Sequence, residues 1–555
     1  MYSVAKATLI GPVHFALAWF VLICGTFACA QTYTAIYSYG SQTSDPKNPQ
    51  PNGLMAQGRD GNLYTTAPLG GANNGGAAYY ITPTGSLTKL LDFAINEGPL
   101  GGLALGSDGN LYGTTSGAGT SNVGTVYQLT TSGQRTTLWN FSSFDDGANP
   151  NVAPVLGKDG NFYGANQDDR NGDYGLIYKI TTKGALTVVG DFNFTNGNSP
   201  NQPVQGSDGN FYGTARFGGS ACTVLGCGVV YKMTPSGTIT VLHNFAGYPT
   251  DGAQPIGVLA QATDGSLYGA TYLGGANNQG AVFKITTAGK YTLLYSFHNV
   301  GGSDAMNPWT GVVVGTDGNL YGTAQGGTHE AGSLYKVTTT GTESVLYSFC
   351  AKSGCADGFF PQTPLMQHTN GKFYGSVESG GANGLNGGVF YSLDMGLQPF
   401  ASLVIWQGAK GKSVQILGQG FTGTSKVSFN GTSASFTVVS ATYLTATVPA
   451  GATTGFITVT TPGATLTSNR KFYVLPTISS FTPTSGSVGT VVTITGNNLK
   501  GATKVTFGGV NATSFSVVSD TQITATVPTG AKTGKIQVTT TGGTAASSTS
   551  FTVTS

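Results

Sequence analysis

The sequence predicts an all-β protein that consists of a seven-bladed β-propeller and two β-sandwich domains. A hexapeptide close to DGNLYG recurs seven times, beginning at residues 60, 108, 159, 208, 264, 317 and 370. A period of about 50 residues is the size of one four-stranded propeller blade. The 86 glycines in 555 residues, together with many threonines and aromatic residues, favour short strands and tight turns. No stretch after residue 30 shows a sustained helical period.

Each repeat contains four predicted strands, which we call a, b, c and d in chain order. Strand a is a short apolar stretch before the Asp-Gly turn, and strand b follows that turn. Strand c has the pattern G-x-[VL]-[YF]-K-[IV]-T, as in GLIYKIT at 175–181. Strand d ends in an aromatic residue, as in YTLLYSF at 291–297. These β-branched and aromatic stretches between turn signals indicate one antiparallel sheet per repeat.

The first strand of the chain predicts how the propeller closes. YTAIYSY at 33–39 matches the d strand at 291–297, but no a, b or c strand precedes it. The last repeat ends at GGVFYSL, 387–393, without a d strand of its own. We therefore expect a propeller over 31–396 whose seventh blade is completed by the N-terminal strand, which removes the exposed sheet edges.

The connections sort onto two faces. The a–b and c–d turns are short and uniform, and we call their side the turn face. The b–c and d–a loops vary in length, and we call their side the loop face; variable loops on one side often mark a binding surface. The candidate ligand residues on that face are three acids of Asp-Gly-x-x-Pro loops, a fourth acid in a divergent copy of that loop, and one histidine: Asp146, Asp251, Asp357, Asp304 and His329. The alternative is that these acids stabilise turns, because Asp before Gly does so commonly.

Evidence for a cofactor or for catalysis is weak in the sequence. The segment DDRNGDYG at 168–175 begins like a calcium loop, with Asp169, Asn171 and Asp173 as the candidate ligands. It lacks the glycine and the closing Glu of such loops, so a plain acidic loop is the alternative. We expect no other cofactor. No catalytic motif is found, and we assign no catalytic residue.

The N-terminus and the cysteines indicate export. Residues 1–30 have the apolar run and the Ala28-Cys29-Ala30 cleavage pattern of a signal peptide, with an uncleaved membrane anchor as the alternative. No later segment is apolar enough to cross a membrane. In an exported chain, the two local pairs Cys222/Cys227 and Cys350/Cys355 predict two disulfides. We expect a secreted or cell-surface monomer.

Charge excludes one class of partner. Charged residues make up only 9% of the chain, and the few lysines after residue 396 are scattered. No basic stripe with interleaved aromatic residues occurs, so we expect no nucleic-acid binding. Residues 31–396 are acidic and 397–555 basic. This asymmetry either orients the protein on an anionic surface or merely keeps it soluble.

The C-terminal region contains two copies of one domain, at 397–475 and 476–555. VQILGQGFTGTSKVSFNG at 414–431 aligns with VTITGNNLKGATKVTFGG at 492–509. These domains resemble the IPT/TIG immunoglobulin-like domains, most closely at FTPTSGSVGTVVTITG, 481–496. The strand-c pattern together with D-G-N-[LF]-Y-G resembles the choice-of-anchor, or Gloeo-Verruco, tandem repeats. That resemblance implies an exported bacterial protein and no particular substrate.

We therefore expect a secreted or surface-exposed binding or adhesion protein without catalytic activity. Its ligand would be a glycan or cell-surface polymer, bound on the loop face. The alternatives are an extracellular polysaccharide hydrolase or lyase, whose paired carboxylates a ring of acids could conceal, and a purely structural surface component.

Overall fold

The computed structural model describes residues 31–50, 53–142, 145–167, 174–222, 225–298, 304–382 and 387–555. Regular structure in these ranges is almost entirely β-strand; the one helical element described there is a 3-10 turn at Ser353–Cys355. The predicted all-β class is confirmed. No helix long and apolar enough to cross a membrane is found in the described ranges.

Residues 31–396 contain thirty-two described strands, most of them two to seven residues long. In chain order they are β1 (Thr32–Ser38), β2 (Pro46–Lys47), β3 (Ala56–Gln57), β4 (Leu63–Ala67), β5 (Leu69–Gly70), β6 (Ala77–Ile81), β7 (Leu87–Asp92), β8 (Ala104–Leu105), β9 (Leu111–Thr115), β10 (Thr125–Leu129), β11 (Arg135–Asn140), β12 (Val155–Leu156), β13 (Phe162–Asn166), β14 (Leu176–Ile180), β15 (Leu186–Asp191), β16 (Asn198–Pro200), β17 (Val204–Gln205), β18 (Phe211–Phe217), β19 (Val229–Met233), β20 (Ile239–Asn244), β21 (Gly252–Gln261), β22 (Leu267–Gly274), β23 (Ala281–Ile285), β24 (Tyr291–Ser296), β25 (Ala305–Pro308), β26 (Val313–Val314), β27 (Leu320–Gly326), β28 (Ser333–Val337), β29 (Glu343–Ser348), β30 (Met366–Gln367), β31 (Phe373–Val377) and β32 (Val389–Asp394).

The strands form one antiparallel sheet per repeat, in the order a-b-c-d. The first sheet is β3-β4-β6-β7, and the next five follow along the chain to β25/β26-β27-β28-β29. The last sheet has the order β30-β31-β32-β1, so the N-terminal strand occupies its d position. In its ladder, Tyr33 lies opposite Leu393 and Ser38 opposite Val389.

The b strands are the most deeply buried elements, because side chains on both of their faces are covered. Five of their residues in succession are buried in every repeat, as in Leu111–Thr115. In six of the seven b strands a glycine at the third position makes this packing fit, and the first has Thr65 there. A Cβ on Gly213 would overlap the hydroxyl of Tyr231 in the neighbouring c strand. The conserved spacing of Gly and Tyr is therefore a close-packing device repeated from sheet to sheet.

The recurrent hexapeptide is a hairpin turn that closes on itself. In the first repeat Asp60 accepts hydrogen bonds from the backbone N–H and side-chain amide of Asn62, and from the hydroxyl of Tyr64 at 2.7 Å. The glycine between them, Gly61, has a φ of +81°, which residues with a Cβ rarely adopt. The predicted turn is confirmed, and its Asp, Asn and Tyr form a structural network.

The two C-terminal domains are β-sandwiches with separate cores. The first sandwich holds β33 (Ser402–Leu403), β34 (Gln407–Gly408), β35 (Ser413–Leu417), β36 (Lys426–Phe429), β37 (Thr432–Ala434), β38 (Phe436–Val438), β39 (Tyr443–Thr447), β40 (Ile457–Thr460), β41 (Thr465–Thr467) and β42 (Tyr473–Val474). The second sandwich holds β43 (Thr477–Thr482), β44 (Ser485–Gly486), β45 (Val491–Asn497), β46 (Ala502–Phe507), β47 (Val510–Asn511), β48 (Phe515–Ser519), β49 (Gln522–Thr526), β50 (Gly534–Thr540) and β51 (Gly543–Val553). Each buries its own hydrophobic cluster.

The first sandwich packs against the turn face of the repeat region. The guanidinium of Arg59 donates to the carbonyl of Ser107 and to the side chain of Gln415, at 2.8 and 2.9 Å. The hydroxyl of Thr442 donates to the carbonyl of Arg59 at 2.7 Å. Further around this face, Gln419 donates to the hydroxyl of Thr369 at 2.8 Å. The uniform turns therefore serve as a docking platform.

Lys158 is the most buried charged group of this interface. Its ammonium donates to the carbonyl of Ser207 at 2.9 Å and lies 4.1 Å from the ring centroid of Trp406 in the first sandwich. Burial lowers the pKa of Lys158 to about 7, although nearby Asp208 acts in the opposite direction. The interface therefore makes this lysine lose its proton more easily than an exposed lysine would.

We expect stability to rise with pH because of Lys158. Between its folded pKa of about 7 and an unfolded value of about 10.4, the unfolded chain binds more protons. Alkalinisation should then stabilise the folded protein by up to about 1.4 kcal/mol per pH unit, with no effect from this group below pH 7. Denaturation of wild type and Lys158→Met across pH 6 to 10 measures this. Parallel pH profiles would contradict it, and Lys426→Met, at an exposed position, is the control.

The Gly–Tyr packing predicts opposite effects for two neighbouring substitutions. Gly213→Ala should destabilise the protein by about 1–3 kcal/mol, since its methyl group would overlap Tyr231. Tyr231→Phe should be neutral or stabilising, because the buried Tyr231 hydroxyl has no hydrogen-bond partner among the described residues. Thermal unfolding of both variants measures the difference. Equal losses would show that the hydroxyl has a role of its own.

Candidate functional site

The four acids predicted as ligand residues lie at the base of the d–a loops, with their carboxylates turned inward. Asp146, Asp251, Asp304 and Asp357 are at most 8% exposed. Each accepts backbone hydrogen bonds from its own loop; Asp357, for example, accepts from Ala351 at 2.9 Å. The turn-stabilising alternative accounts for this geometry. Hydrogen bonds from backbone N–H groups to these buried carboxylates stabilise the loop conformations.

Each of these acids also binds a side chain at a fixed place near the end of the preceding d strand. The donors are Trp139, His243, Tyr295 and Tyr347, in chain order. Asp45, which the sequence interpretation overlooked, accepts from Tyr37 at 2.7 Å in the same way. In the two remaining repeats Leu91 and Gly190 replace the donor, and no Asp-Gly-x-x-Pro acid follows. An aspartate is thus found wherever the donor is present; where Leu91 replaces the donor, Glu97 accepts from the backbone N–H of Ala94 at 3.1 Å instead.

The hydrogen bond from the His243 ring has an electrostatic consequence. Burial alone would raise the pKa of Asp251, but this bond at 2.9 Å and the backbone N–H of Ala246 lower it. The His243 ring also stacks on Tyr291 at a centroid distance of 3.8 Å. This loop is therefore fixed by charge and by packing.

The other predicted residues of the loop face have different surroundings. His329 is exposed in a b–c loop. Both predicted disulfides, Cys222–Cys227 and Cys350–Cys355, are confirmed. The calcium candidates Asp169, Asn171 and Asp173 lie outside the described residues. Among the described residues no cluster of three or more His, Cys, Asp or Glu side chains could hold a metal ion.

The residue before the proline of each d–a loop has an unusual backbone. Six of these positions have φ between 44° and 59°, a left-handed conformation that is rare for residues other than glycine. Their N–H groups each donate to the carbonyl that precedes strand c of the previous sheet, as from Gln254 to Cys227 at 2.8 Å. The six residues differ in their side chains. They are Asn48, Asn149, Ser199, Gln254, Asn307 and Phe360.

Two of these residues belong to a continuous patch across the fourth, fifth and sixth sheets. We call it the aromatic–amide patch; it consists of Arg216, Gln254, Tyr272, Asn307 and Trp309. The Arg216 guanidinium donates to Gln254 at 3.4 Å, and the Asn307 amide donates to the carbonyl of Tyr272 at 2.9 Å. The rings of Tyr272 and Trp309 lie 5.5 Å apart at 43°. The indole N–H of Trp309 has no acceptor among the described residues.

Exposed apolar side chains also concentrate on the loop face. Within the described part of 31–396, every large hydrophobic side chain that is strongly exposed lies in a b–c or d–a loop: Leu69, Ile95, Leu225, Tyr248 and Phe360. Leu225 and Tyr248 flank the Cys222–Cys227 disulfide and are 63% and 61% exposed. Exposed apolar groups on one side of a molecule are typical of a contact surface.

The sequence interpretation pointed to the loop face but not to the aromatic–amide patch. The motif Asp-Gly-x-x-Pro drew attention to its conspicuous acid, whereas the residue before the proline contributes Gln254 and Asn307 to the patch. A signal was present, because Asn precedes the proline at positions 48, 149 and 307. Tyr272 and Trp309 had no such signal. Their proximity depends on the packing of two successive sheets.

Comparison with solved structures gives only distant likenesses. A streptogramin B lyase structure is 14% identical with a TM-score of 0.43, covering 66% of this chain and 97% of that one. A fungal alcohol oxidase of the AA5 family, in complex with copper, is 11% identical with a TM-score of 0.40, covering 94% and 100%. SGBP-B from a xyloglucan utilization locus of Bacteroides uniformis is 22% identical with a TM-score of 0.14, covering 27% and 48%. None of these likenesses bears on function.

Comparison with protein-family models identifies the family of this chain. No curated protein matches the chain. The IPT/TIG domain matches twice, at residues 401–474 and 476–554. The Gloeobacter/Verrucomicrobia repeat matches residues 25–156 and 149–390, which is more than half of the sequence. The protein therefore belongs to the Gloeobacter/Verrucomicrobia repeat family and carries two C-terminal IPT/TIG domains.

Proposed function

We propose that this protein is an extracellular, non-catalytic binding protein that holds a saccharide on its loop face, over the aromatic–amide patch. The observation that carries the proposal is the Tyr272–Trp309 pair beside Arg216, Gln254 and Asn307. Aromatic rings offer a flat apolar surface for the C–H face of a sugar ring, with little loss of side-chain entropy on binding. The guanidinium and the two amides supply donors and acceptors for hydroxyl groups.

The internal hydrogen bonds and disulfides of the loops support a binding role. A binding surface gains affinity when its groups are already in place before the ligand arrives. Here the acids Asp146, Asp251, Asp304 and Asp357 fix the loops from within, and two disulfides close further loops. We assign these acids a positioning role, and His329 a place at the edge of the contact surface in the sixth repeat.

Several features support a location outside the cell. The two disulfides are typical of an oxidising compartment. The apolar segment within residues 1–30 has the form of a signal peptide. Together with the low charge of the chain and its IPT/TIG domains, these features support a secreted or cell-surface protein.

We infer that the loop face is the side of one closed, seven-bladed propeller over residues 31–396. Contacts between the last and the first sheets support closure. The Gln57 amide donates to the hydroxyl of Thr369 at 2.8 Å, and the His368 ring lies 3.0 Å from the carbonyl of Gly61. The hydroxyl of Tyr79 donates to that of Tyr39 at 2.9 Å inside a shared hydrophobic cluster. The strand β1 then closes the ring.

Deletion of residues 31–40 should open the ring. The deletion removes the d strand of the seventh sheet and the buried Tyr39, and it exposes the edge of β32. We expect a lower unfolding temperature and self-association, measured by calorimetry and by light scattering after size exclusion. The wild-type chain is the control. A monomeric truncation that unfolds at the wild-type temperature would refute closure by this strand.

Substitution in the patch should weaken saccharide binding. A glycan array with the purified chain identifies a bound saccharide, and calorimetry then measures its Kd. Tyr272→Ala combined with Trp309→Ala should raise that Kd about tenfold or more, which corresponds to about 1.4 kcal/mol. Phe515→Ala in the second sandwich, which also removes an exposed aromatic ring, should leave the Kd unchanged.

Three outcomes would count against the proposal. Turnover of the bound saccharide by the wild-type chain would indicate the hydrolase or lyase instead. Absence of binding to every saccharide on the array would favour a structural component. Unchanged affinity of the double variant, with its fold intact by circular dichroism, would place the ligand elsewhere.

A further inference from the structure

A cavity lies between the repeat region and the first sandwich, on the side of the molecule opposite the loop face. It has a volume of about 1080 Å³, at the upper end of the range for small-molecule sites. One wall consists of the a strands and a–b turns of the sheets, and the other of the first sandwich near residues 465–473. We call this space the chamber. It is separate from the aromatic–amide patch.

The sandwich wall of the chamber carries unpaired hydrogen-bond donors. The Cζ atom of Arg470 lies 5.1 Å from the ring centroid of Trp406, which holds the guanidinium in place. Among the described residues this guanidinium makes no hydrogen bond or ion pair, and the same holds for the ammonium of Lys471 and the side-chain amide of Asn469. All three residues are exposed to solvent and line the chamber. A planar guanidinium with free N–H groups is the preferred partner of a carboxylate.

The repeat wall has the opposite character. Asp264 and Asp317, from the hexapeptide turns of the fifth and sixth repeats, line it. Burial alone would raise the pKa of Asp264, but hydrogen bonds from Ser266 and Lys284 lower it, so the carboxylate stays ionised. Three glutamines also line this wall, and each joins the turn of its own repeat to the turn of the repeat before it through side-chain hydrogen bonds: Gln205, Gln261 and Gln367. Carboxylate and amide oxygens are acceptors for hydroxyl groups.

The two walls together define one kind of ligand. A simple anion would meet favourable charge on the sandwich wall and unfavourable charge on the repeat wall. A neutral sugar would leave the donors of Arg470, Lys471 and Asn469 without an anionic partner. A molecule with a carboxylate at one end and several hydroxyl groups at the other satisfies both walls. The volume of the chamber accommodates more than one sugar ring.

We propose that the chamber between the first sandwich and the repeat region binds an acidic saccharide, whose carboxylate pairs with Arg470 and Lys471 and whose hydroxyl groups face Asp264, Asp317 and the glutamines. The site would be independent of the patch on the loop face. It also gives the docked sandwich a role in recognition, because the sandwich supplies the cationic half of the site.

Calorimetric titration of the full chain tests this proposal with three probes: a trigalacturonate in which only one terminal carboxylate is free and the other two are methyl esters (called trigalacturonate below), neutral galactotriose and inorganic sulfate. We expect trigalacturonate to bind, more weakly as salt is raised. Arg470→Gln should weaken its binding about tenfold, because it removes the bidentate partner. Lys471→Gln, a milder change at an exposed position, should weaken binding by a smaller factor of about threefold.

Two controls separate the chamber from other sites. Lys426→Gln removes an exposed charge from the same sandwich outside the chamber and should leave the affinity unchanged. The double substitution Tyr272→Ala and Trp309→Ala should also leave trigalacturonate binding unchanged. Loss of binding in that double variant would assign the acidic saccharide to the loop face and overturn the chamber proposal, while supporting the proposed function.

Other results would overturn it directly. Equal binding of galactotriose would show that the carboxylate is not recognised. Sulfate that binds as tightly as trigalacturonate would indicate a plain anion site. Full affinity in both Arg470→Gln and Lys471→Gln would show that the sandwich wall does not contact the ligand.

Discussion

The hydrogen bond that ties each repeat to the one before it is the interaction on which the rest of the structure depends. A four-stranded sheet of such short strands cannot bury both of its faces alone. Before the proline of six d–a loops, a left-handed residue donates its N–H to the previous sheet, as Asn307 does to Gln279 at 2.7 Å. In five of these loops the proline ring then lies against the glycine that opens the previous c strand. Successive sheets are thereby held in contact.

The turn face and the loop face of the repeat region have different structural roles. On the turn face, the hexapeptide satisfies its own polar groups and leaves a regular surface, to which the first sandwich binds through Arg59, Gln415 and Thr442. On the loop face, buried acids stabilise loops whose outer residues differ from repeat to repeat. Regularity thus supports assembly of the domains, and the proposed recognition is assigned to the irregular side. The chamber forms where the regular turns of the fifth and sixth repeats face the sandwich.

Much of the fold could be predicted from the sequence because its signals are local. The Asp-Gly turn, the strand-c pattern and the spacing of the cysteines each act within a few residues. The candidate site could not be predicted in the same way. Trp309 and Tyr272 meet only because two sheets pack side by side. Arg470 reaches the chamber only because its domain docks on turns that lie far earlier in the chain. No sequence period encodes such contacts. The role of the buried acids was one of two readings left open, and burial favours the structural one.

The tie between repeats has a consequence for how this protein family can vary. It joins backbone atoms, so this hydrogen bond forms whichever side chain stands at that position. The same position accordingly carries Asn, Ser, Gln or Phe in different repeats. A lineage could therefore replace these residues one at a time and alter what the loop face contacts, while the scaffold beneath keeps this hydrogen bond. Architecture and recognition can evolve separately in a molecule built this way.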